Sequence, residues 1–301
     1  MKMMTISKLR AYGREFLKPT GIENYFLDVD VLLMHVLEID KNTLLTDLRH
    51  PISENDARKF IRLIHDRGNN APIQYLTGKC EFMSLDFIVN KDVLIPRPDT
   101  ETLVETILEN ETSGNITGFE IGVGCGCISV SLEYYAEYIT MYGADISKDA
   151  VWIANENWVR LLQTLSTIRG AKKENYIDKL FKNTKFRVSN LFDNVPRGTL
   201  FDFVVSNPPY IETKEIERLD KCIKDFEPRI ALDGGADGLD FYRQITEQAG
   251  KYLADGGRIY FEIGYNQADA VERILNDSGF SDIDIVQDLA GKDRVIWARR
   301  A

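Results

Sequence analysis

Segments with a helical pattern and segments with a strand pattern alternate along the chain from about residue 100 to its end. The strand-like segments are short apolar runs, and the helical segments carry apolar residues three or four positions apart. Such alternation predicts an α/β fold, a doubly wound sheet with helices on both faces. The predicted strands are Ile116–Ile121, Ile139–Asp145, Lys185–Ser189, Phe201–Ser206, Arg258–Ile263, Asp282–Gln287 and Arg294–Ala298. The predicted helices are Thr102–Leu108, Ile128–Tyr135, Asp149–Val159, Leu239–Leu253 and Gln267–Asn276.

Two connections in this part of the chain differ in length and composition. The last two predicted strands are joined only by Asp288–Asp293, so we expect them to pair antiparallel. The stretch Gln163–Thr184 is rich in Lys, Asn and Thr, and we interpret it as a surface insertion between a helix and a strand.

The chain before this region has a different character. Residues 1–78 show short helical patterns and predict a small helical domain, with Ser53 and Asp56 spaced as a helix-capping pair. Residues 79–98 are interpreted as a β-hairpin and linker, which leaves 99–301 as the sheet domain. After the prolines of the linker, Asp99 or Thr100 is expected to cap the helix that begins at Glu101.

The charge and composition of the chain limit the classes of protein to which it can belong. A net charge of −10 weighs against a broad nucleic-acid-binding surface, so no direct nucleic-acid partner is expected. The sequence has no apolar run long enough to cross a bilayer and no signal peptide, and it has four cysteines without a C-x-x-C pair. These features predict a cytoplasmic protein with no membrane association and no metal site.

A glycine-rich turn follows the first strand of the sheet domain. Gly122-Val123-Gly124-Cys125-Gly126 comes directly after Ile121 and before a predicted helix. Glycines let the backbone turn sharply and let a ligand approach without a Cβ in the way. The turn is not the G-x-G-x-x-G of dinucleotide enzymes, because Cys127 stands where the third glycine would fall. A cofactor site and a tight turn without a ligand both fit this pattern.

Asp145 ends the next strand, about 20 residues after the glycine turn, where an acidic side chain grips ribose hydroxyls in nucleotide-binding folds. The alternative is that Asp145 only caps the following helix, a role for which Ser147 competes.

A second turn follows the strand Phe201–Ser206. In Asn207-Pro208-Pro209-Tyr210 two prolines remove two backbone donors and end the strand, which leaves Asn and Tyr on a rigid turn. Ligands bind at this carboxyl edge in open α/β sheets. As a bare tetrapeptide the motif fits any tight turn.

Together, the glycine turn, Asp145 and the Asn-Pro-Pro-Tyr turn resemble the class I S-adenosylmethionine-dependent methyltransferases. The chain is most similar to the release factor glutamine methyltransferases through further segments that span nearly its whole length. These segments are Pro72–Gly78, Leu94–Glu101, Phe226–Pro228, Ala231–Leu239, Glu262–Gln267 and Asp288–Arg294. The resemblance implies a Rossmann-like, mostly parallel seven-stranded sheet with a helical amino-terminal domain that docks the substrate.

The resemblance also implies roles for the residues of the two turns. The Asn207 side-chain oxygen and the Pro208 carbonyl would accept the two N–H groups of a planar NH2 group, Pro209 would fix the turn and Tyr210 would pack on the substrate. We therefore expect Asn207, Pro208 and Tyr210 to be catalytic. The expected cofactor contacts are Gly122, Val123, Gly124, Cys125, Gly126, Asp145, Asn190, Leu191 and Asn207.

Three positions depart from the pattern of the family. Asn190 stands where the family commonly has Asp, and Leu191 stands where it often has an aromatic residue. Glu120 replaces a more usual Asp before the glycines. These departures concern the cofactor contacts and leave the Asn-Pro-Pro-Tyr turn intact.

The resemblance implies that the cofactor is S-adenosylmethionine, released as S-adenosylhomocysteine. The implied partner is a class 1 peptide-chain release factor, methylated on the glutamine of its Gly-Gly-Gln motif, and the enzyme is expected to act as a monomer. Methylation of a ribosomal protein glutamine, or of the adenine amino group in DNA, remains an alternative. A target-recognition domain and a basic surface are expected of the DNA enzymes, whereas this chain is acidic.

Overall fold

The computed structural model describes residues 4–112, 114–169 and 185–300. The chain divides into two compact units. The first unit comprises Met1–Lys79 and the short segment Asp220–Phe226, and the second comprises Cys80–Leu219 and Glu227–Ala301. The hairpin and the linker, from Cys80 onward, therefore belong to the unit that carries the large sheet.

The first unit is helical, as the sequence predicts. Its core is formed by buried aliphatic and aromatic side chains, among them Leu9, Val29, Leu32 and Phe60. The backbone N–H of Asp56 donates to Ser53 Oγ at 3.1 Å, which confirms the predicted capping pair. The elements are β1 (Met4–Thr5), α1 (Ile6–Leu17), α2 (Tyr25–Leu37), α3 (Lys41–Thr46), β2 (Pro51–Ile52), α4 (Glu54–Gly68) and α5 (Ile73–Thr77).

The second unit holds a hairpin and a mostly parallel sheet of seven strands. The strands are β3 (Lys79–Phe82), β4 (Leu85–Ile88), β5 (Ile116–Ile121), β6 (Ile139–Asp145), β7 (Phe186–Val188), β8 (Phe201–Ser206), β9 (Leu253–Glu262), β10 (Phe280–Gln287) and β11 (Asp293–Arg300). The helices from here on are α6 (Glu101–Asn110), α7 (Cys127–Tyr135), α8 (Lys148–Arg169), α9 (Lys221–Lys224), α10 (Asp240–Ala249) and α11 (Ala268–Asp277). Of these, α9 lies in the segment assigned to the first unit.

The order of strands in the large sheet is β10-β11-β9-β8-β5-β6-β7. The strands β5 to β9 pair with one another in parallel, and β11 pairs antiparallel with both β9 and β10. This confirms the predicted doubly wound fold and the predicted antiparallel closing pair. Buried aromatic rings such as Phe119 and Phe201 stack 4.8 Å apart, centroid to centroid, in the core between sheet and helices.

The strand register determines which residues meet at the carboxyl edge. Ile121 pairs with Ala144 on one side and with Ser206 on the other. The Ser206 hydroxyl also donates to the Ile121 carbonyl at 2.7 Å, which fixes the two strand ends to each other. The glycine turn, Asp145 and Asn207 therefore leave the sheet at the same edge.

Several of the predicted ends of helices and strands are wrong. The helix predicted over Leu239–Leu253 ends at Ala249, and strand β9 begins at Leu253. An irregularity in the pairing of β8 with β9 between Phe201 and Phe203 lets the strand include Gly256 and Gly257, which resemble a loop in the sequence. Helix α8 continues to Arg169, into the predicted insertion Gln163–Thr184, and residues 170–184 lie outside the described part of the chain.

Helix α6 begins at Glu101 as predicted, with Thr100 at its N-cap position, but the predicted capping by a side chain is wrong. A 3-10 turn over Pro98–Thr100 precedes the helix, and Thr100 makes no side-chain capping bond. The side chain of Asp99 pairs instead with Arg294 at 3.1 Å, and the Thr100 hydroxyl accepts from Asn207 at 3.3 Å. Both side chains are thus engaged across the fold and do not stabilise the first turn of the helix.

Within the described ranges, no helix is both long enough and apolar enough to span a membrane.

Candidate active site

A cavity lies at the carboxyl edge of the large sheet, within the second unit. Its walls come from the linker before α6, the glycine turn, the ends of β6 and β7, and the turn after β8. The predicted site residues among its lining are Gly122, Val123, Gly124, Cys125, Asp145, Asn190, Leu191, Asn207, Pro208 and Pro209. Most of the residues that the sequence singles out therefore meet in one place.

The glycine turn has a backbone that other residues would strain. Gly122, Gly124 and Gly126 have φ angles of 74°, 53° and 81°, all in the left-handed region. A Cβ at Gly122 or Gly124 would meet no atom of the described chain within 4 Å, so both positions border open space. A Cβ at Gly126 would instead lie 3.2 Å from the Ala154 Cβ, so this glycine allows the turn to pack against α8.

Asp145 is tied to the glycine turn. One of its carboxylate oxygens accepts from the Gly124 backbone N–H at 3.0 Å, and the other accepts from the Ser147 backbone N–H at 2.8 Å. Burial raises the pKa of Asp145, and these backbone bonds oppose that shift. Ser147 itself caps α8, because its hydroxyl accepts from the Ala150 N–H at 3.2 Å. Each Asp145 oxygen retains acceptor capacity for a further donor in the cavity.

Glu120 lies beneath the turn and is almost fully buried. The Ser129 backbone N–H and the Ser129 hydroxyl both donate to its Oε2 atom. Burial raises the pKa of Glu120 to about 8 even though these bonds favour the charged form. Glu120, which is larger than the Asp more usual at this position, is therefore held inside the protein by Ser129 of the next helix, α7.

The two predicted adenine contacts differ in exposure. Leu191 is buried and joins the main core, and its φ of 46° is unusual for a residue with a side chain. Asn190 is exposed and lines the cavity beside it. Leu191 thus offers an apolar surface where an aromatic ring is more common.

The Asn-Pro-Pro-Tyr turn is held by contacts on both of its ends. The Asn207 side-chain nitrogen donates to the Thr100 hydroxyl at 3.3 Å. At the other end, the Tyr210 hydroxyl donates to Glu262 Oε1 at 3.3 Å, and the Tyr210 carbonyl accepts from the Gln267 amide at 3.0 Å. The two ends of the turn therefore depend on residues that are more than 50 positions away in sequence.

Glu262 is a buried acid that contacts this turn through the Tyr210 hydroxyl. It ends β9 and is 1% exposed. Burial raises the pKa of Glu262 to about 7, and the nearby Thr100 hydroxyl, the charge of Arg294 and the hydrogen bond of Tyr210 oppose that shift. Burial is also the main cause that raises the pKa of the Tyr210 hydroxyl, with the Glu262 charge adding to it.

The segment Leu232–Gly238 packs closely against the same turn. Ile211 donates from its backbone to the Leu232 carbonyl at 3.0 Å and accepts from the Gly234 N–H at 2.8 Å. A Cβ at Gly234 would lie 2.7 Å from the Pro209 carbonyl oxygen, and one at Gly238 would lie 2.4 Å from the Tyr210 carbonyl oxygen. Side chains at these glycines would push the turn out of place.

An ion pair borders the cavity on its linker side. Arg97 Nη2 donates to Glu227 Oε1 at 2.5 Å, and Glu227 also accepts from the Ile95 backbone N–H at 3.4 Å. Glu227 is buried, whereas the Arg97 side chain is 33% exposed and lines the cavity. Removing either partner would leave a charge without its counterpart at the cavity wall.

The cysteines of the region are free thiols. A hydrogen bond with Cys125 and burial both raise the pKa of Cys127, and burial raises the pKa of Cys80 to about 11. Protonated thiols are poor nucleophiles and poor metal ligands. Within the described ranges, no group of three or more His, Cys, Asp or Glu side chains is placed to hold a metal ion.

Comparisons with known proteins concern the family and the fold of the chain. The family model of the PrmC N-terminal domain matches residues 8–78, and that of the Eco57I restriction-modification methylase matches residues 140–264. A solved methyltransferase from Pyrococcus furiosus superimposes with a TM-score of 0.50 at 17% identity, over 73% of this chain and 91% of that one. That likeness concerns the fold alone.

Full-length relatives decide the family. The release factor glutamine methyltransferase of Clostridium acetobutylicum is 42% identical over 97% of this chain and 96% of its own length. That of Clostridium botulinum is 39% identical over 99% of this chain and all of its own length. The chain belongs to the release factor glutamine methyltransferases. The resemblance recognised in the motifs is thereby confirmed.

Two residues of this methyltransferase were missing from the predicted site. In the sequence Thr100 was expected to cap a helix, and Glu262 fell inside the predicted strand Arg258–Ile263. Glu262 meets Tyr210 because the register pairs Ser206 with Phe261, and Thr100 meets Asn207 because the start of α6 lies beside this turn. The signal that could have found them is the family resemblance, since they belong to its segments Leu94–Glu101 and Glu262–Gln267.

Proposed function

We propose that this chain transfers a methyl group from S-adenosylmethionine to the side-chain amide nitrogen of the glutamine in the Gly-Gly-Gln motif of class 1 release factors. One observation carries the proposal. In a chain of this family, the Asn207 nitrogen is engaged by Thr100, so the carboxamide oxygen of Asn207 is left to accept from a donor in the cavity.

The acceptor nitrogen needs positioning more than activation. The lone pair of a carboxamide nitrogen is delocalised, so it is a poor nucleophile. In the proposed role, the Asn207 oxygen and the Pro208 carbonyl accept its two N–H bonds and hold the nitrogen in one orientation, while Pro209 keeps the turn rigid and Tyr210 packs on the acceptor. Such fixed hydrogen-bond acceptors lower the barrier by orientation and electrostatics.

The cavity suits the cofactor. Gly122 and Gly124 border open space, and Asp145 retains acceptor capacity beside them, which fits a ribose with two hydroxyl donors. We assign the cofactor to Gly122–Gly126, Asp145, Asn190, Leu191 and Asn207. S-adenosylmethionine, when bound, would supply an activated methyl group and be left as neutral S-adenosylhomocysteine, while the amide nitrogen would gain the methyl group and release one proton to solvent.

The partner and the setting follow from the same proposal. We propose that the helical first unit docks the release factor, that the enzyme acts as a monomer in the cytoplasm and that it needs neither metal nor nucleic acid. The free state of the four cysteines supports a reducing compartment.

The test uses the purified chain and S-adenosylmethionine labelled in its methyl group. Three acceptors are offered separately: a release factor, the same factor with the glutamine of Gly-Gly-Gln changed to Ala, and double-stranded DNA rich in adenine. Label on the intact factor alone supports the proposal. Label on the altered factor, or on DNA instead of protein, would contradict it.

A further inference from the structure

We propose that Gln267 is a positioning residue of the acceptor site: it holds the backbone of Tyr210 against the segment Leu232–Gly238 and so keeps the Tyr210 ring in place for the acceptor glutamine. Gln267 does not line the cavity, and it acts through Tyr210. The inference rests on the proposed function, since it explains how that function keeps the second half of the Asn-Pro-Pro-Tyr turn in a fixed position.

Both ends of the Gln267 carboxamide are bonded inside the protein, where the residue is 9% exposed. Its nitrogen donates to the Tyr210 carbonyl at 3.0 Å and to the Gly238 carbonyl at 3.2 Å. Its oxygen accepts from the Gly264 backbone N–H at 3.0 Å. Because the partners are two acceptors at one end and a donor at the other, only one orientation of the carboxamide satisfies all three.

These bonds join three separate segments of the second unit. Tyr210 lies in the turn after β8, Gly238 in the segment before α10, and Gly264 in the turn after β9. Gln267 stands at the N-cap position of α11, yet its side chain makes no capping bond there. Its backbone N–H donates to the Gly264 carbonyl at 2.8 Å, while the Gly264 N–H donates to its side chain. The side chain is therefore held by its own turn in the direction of Tyr210.

Two glycines leave the space that the carboxamide occupies. A Cβ at Gly238 would lie 2.8 Å from the Gln267 nitrogen and closer still to the Tyr210 carbonyl oxygen. A Cβ at Gly264 would lie 2.9 Å from the Gln267 oxygen. A side chain at either position would therefore displace the carboxamide from its partners.

The hydrogen-bonding groups required at this position are those of a carboxamide. Ionised carboxylates only accept and the cations of Lys and Arg only donate, so neither class can serve the Gly264 N–H and the two carbonyls together. Asn has the same groups on a side chain that is one methylene shorter, so it cannot reach all three partners from the same backbone position.

The turn after β9 thus holds Tyr210 at two points. Glu262, at the end of β9, accepts from the Tyr210 hydroxyl at 3.3 Å, and Gln267 donates to the Tyr210 carbonyl. If the Gln267 bonds are lost, the hydroxyl bond remains but the backbone is released. The ring can then change its distance from the acceptor, and small errors of position lower the rate of a reaction that depends on orientation.

The first test measures kcat and the affinity for S-adenosylmethionine. Gln267→Met has a side chain of similar length without the carboxamide, and it should lower kcat about 10- to 100-fold with the cofactor affinity unchanged. Gln267→Asn can keep one end of the carboxamide bonded and should lose less. Gln244→Met, at an exposed position of α10, is the matched control. Equal kcat in Gln267→Met and the control would overturn the inference.

A further variant separates positioning from a general loss of stability. Ile116→Val removes a buried methyl group at the amino end of β5, the opposite end of the strand from the glycine turn. It should lower the midpoint of urea denaturation and leave kcat of the folded enzyme unchanged. Gln267→Met should lower kcat of the folded enzyme as well. If kcat falls in both variants in proportion to the denaturation midpoint, Gln267 has only a structural role and the inference is wrong.

The last measurement needs no turnover and so separates this inference from the proposed function. Hydrogen exchange followed by mass spectrometry reports on the amides of Ile211 and Gly234, whose bonds join the turn to the segment Leu232–Gly238. Peptides that contain these amides should exchange about tenfold faster in Gln267→Met than in the wild type, since local opening then breaks fewer hydrogen bonds. Peptides of β5 should exchange at the same rate in both proteins.

Unchanged exchange at Ile211 and Gly234 in Gln267→Met would overturn the inference even if the release factor is methylated. Faster exchange confined to these peptides would support it even if the factor is not.

Discussion

Ser206 and Phe261 are paired in register between β8 and β9. The next residues on the two strands are Asn207 and Glu262, so the pairing brings the side chain that we propose to meet the acceptor and the buried acid to the same edge of the sheet. The parallel strands end at the same edge of the sheet and so position the site. The residues of the turns after these strands carry its functional groups.

Asn207→Ala should abolish methyl transfer, because the acceptor nitrogen loses a hydrogen-bond partner and its orientation. A loss of about 100-fold or more in kcat is expected from removal of such a group. The cofactor affinity, measured by isothermal titration calorimetry, should change much less, because we propose that the glycine turn and Asp145 carry most of it. Asn276→Ala, at an exposed position of α11, is the control. A rate near that of the control would refute the assigned role.

Asp145→Ala should weaken binding of S-adenosylmethionine. The substitution removes the expected ribose contact and also the acceptor that holds the Gly124 N–H at 3.0 Å. We expect Kd to rise about tenfold or more, since hydrogen bonds to charged groups contribute about 1.5–3 kcal/mol each. Asp86→Ala, on the exposed side of β4, should leave Kd unchanged. The role of Asp145 is disproved if both variants bind equally well.

The sequence predicts the elements of this site better than their contacts. Strands β5, β6 and β8 are short apolar runs that end next to Gly122, at Asp145 and before Pro208. Both the apolar pattern and these strand-ending residues identify the strands in the sequence. The carboxyl-edge location follows from parallel pairing alone. The cavity brings these elements together as expected.

The network around the turn could not be predicted from local pattern. Thr100 has the type and place of a helix cap, yet its hydroxyl serves Asn207, which is 107 positions away. Glu262 ends an apolar strand, and nothing near it in sequence indicates that Arg294 and Tyr210 will surround it. Contacts of this kind depend on strand order and register, which short-range periodicity does not contain.

Gly234→Ala should damage the site although Gly234 itself does not line the cavity. The added Cβ would lie 2.7 Å from the Pro209 carbonyl oxygen and 2.8 Å from the Tyr210 Cα, both backbone atoms that cannot move alone. We expect a loss of about 1–3 kcal/mol in the free energy of unfolding, as overpacking typically costs, and a lower kcat. Gly250→Ala is the control, because its Cβ would meet no described atom within 4 Å. Urea denaturation and the transfer assay measure the two effects.

Glu120→Gln should change how stability depends on pH. Burial raises the pKa of Glu120 to about 8, from an ordinary value of 4.5. Its contribution to stability is therefore full below pH 4.5 and is lost as the pH rises to 8, because the folded state resists ionisation. The variant should gain stability over the wild type across this window, by an amount on the order of a few kcal/mol at pH 8.

Thermal unfolding of both proteins at pH 5, 6.5 and 8 measures the difference between them, which should be smallest at pH 5. A constant difference across the three values would mean that Glu120 ionises normally in the folded protein.

In the proposed function, the Asn207 turn directs a methyl group to a glutamine amide nitrogen. Tandem mass spectrometry of the release factor after reaction locates the added group most directly. We expect one methyl group on the side-chain nitrogen of the Gly-Gly-Gln glutamine with the wild-type enzyme and none with Asn207→Ala. A methyl group on another residue, or an equally methylated glutamine with Asn207→Ala, would contradict the account.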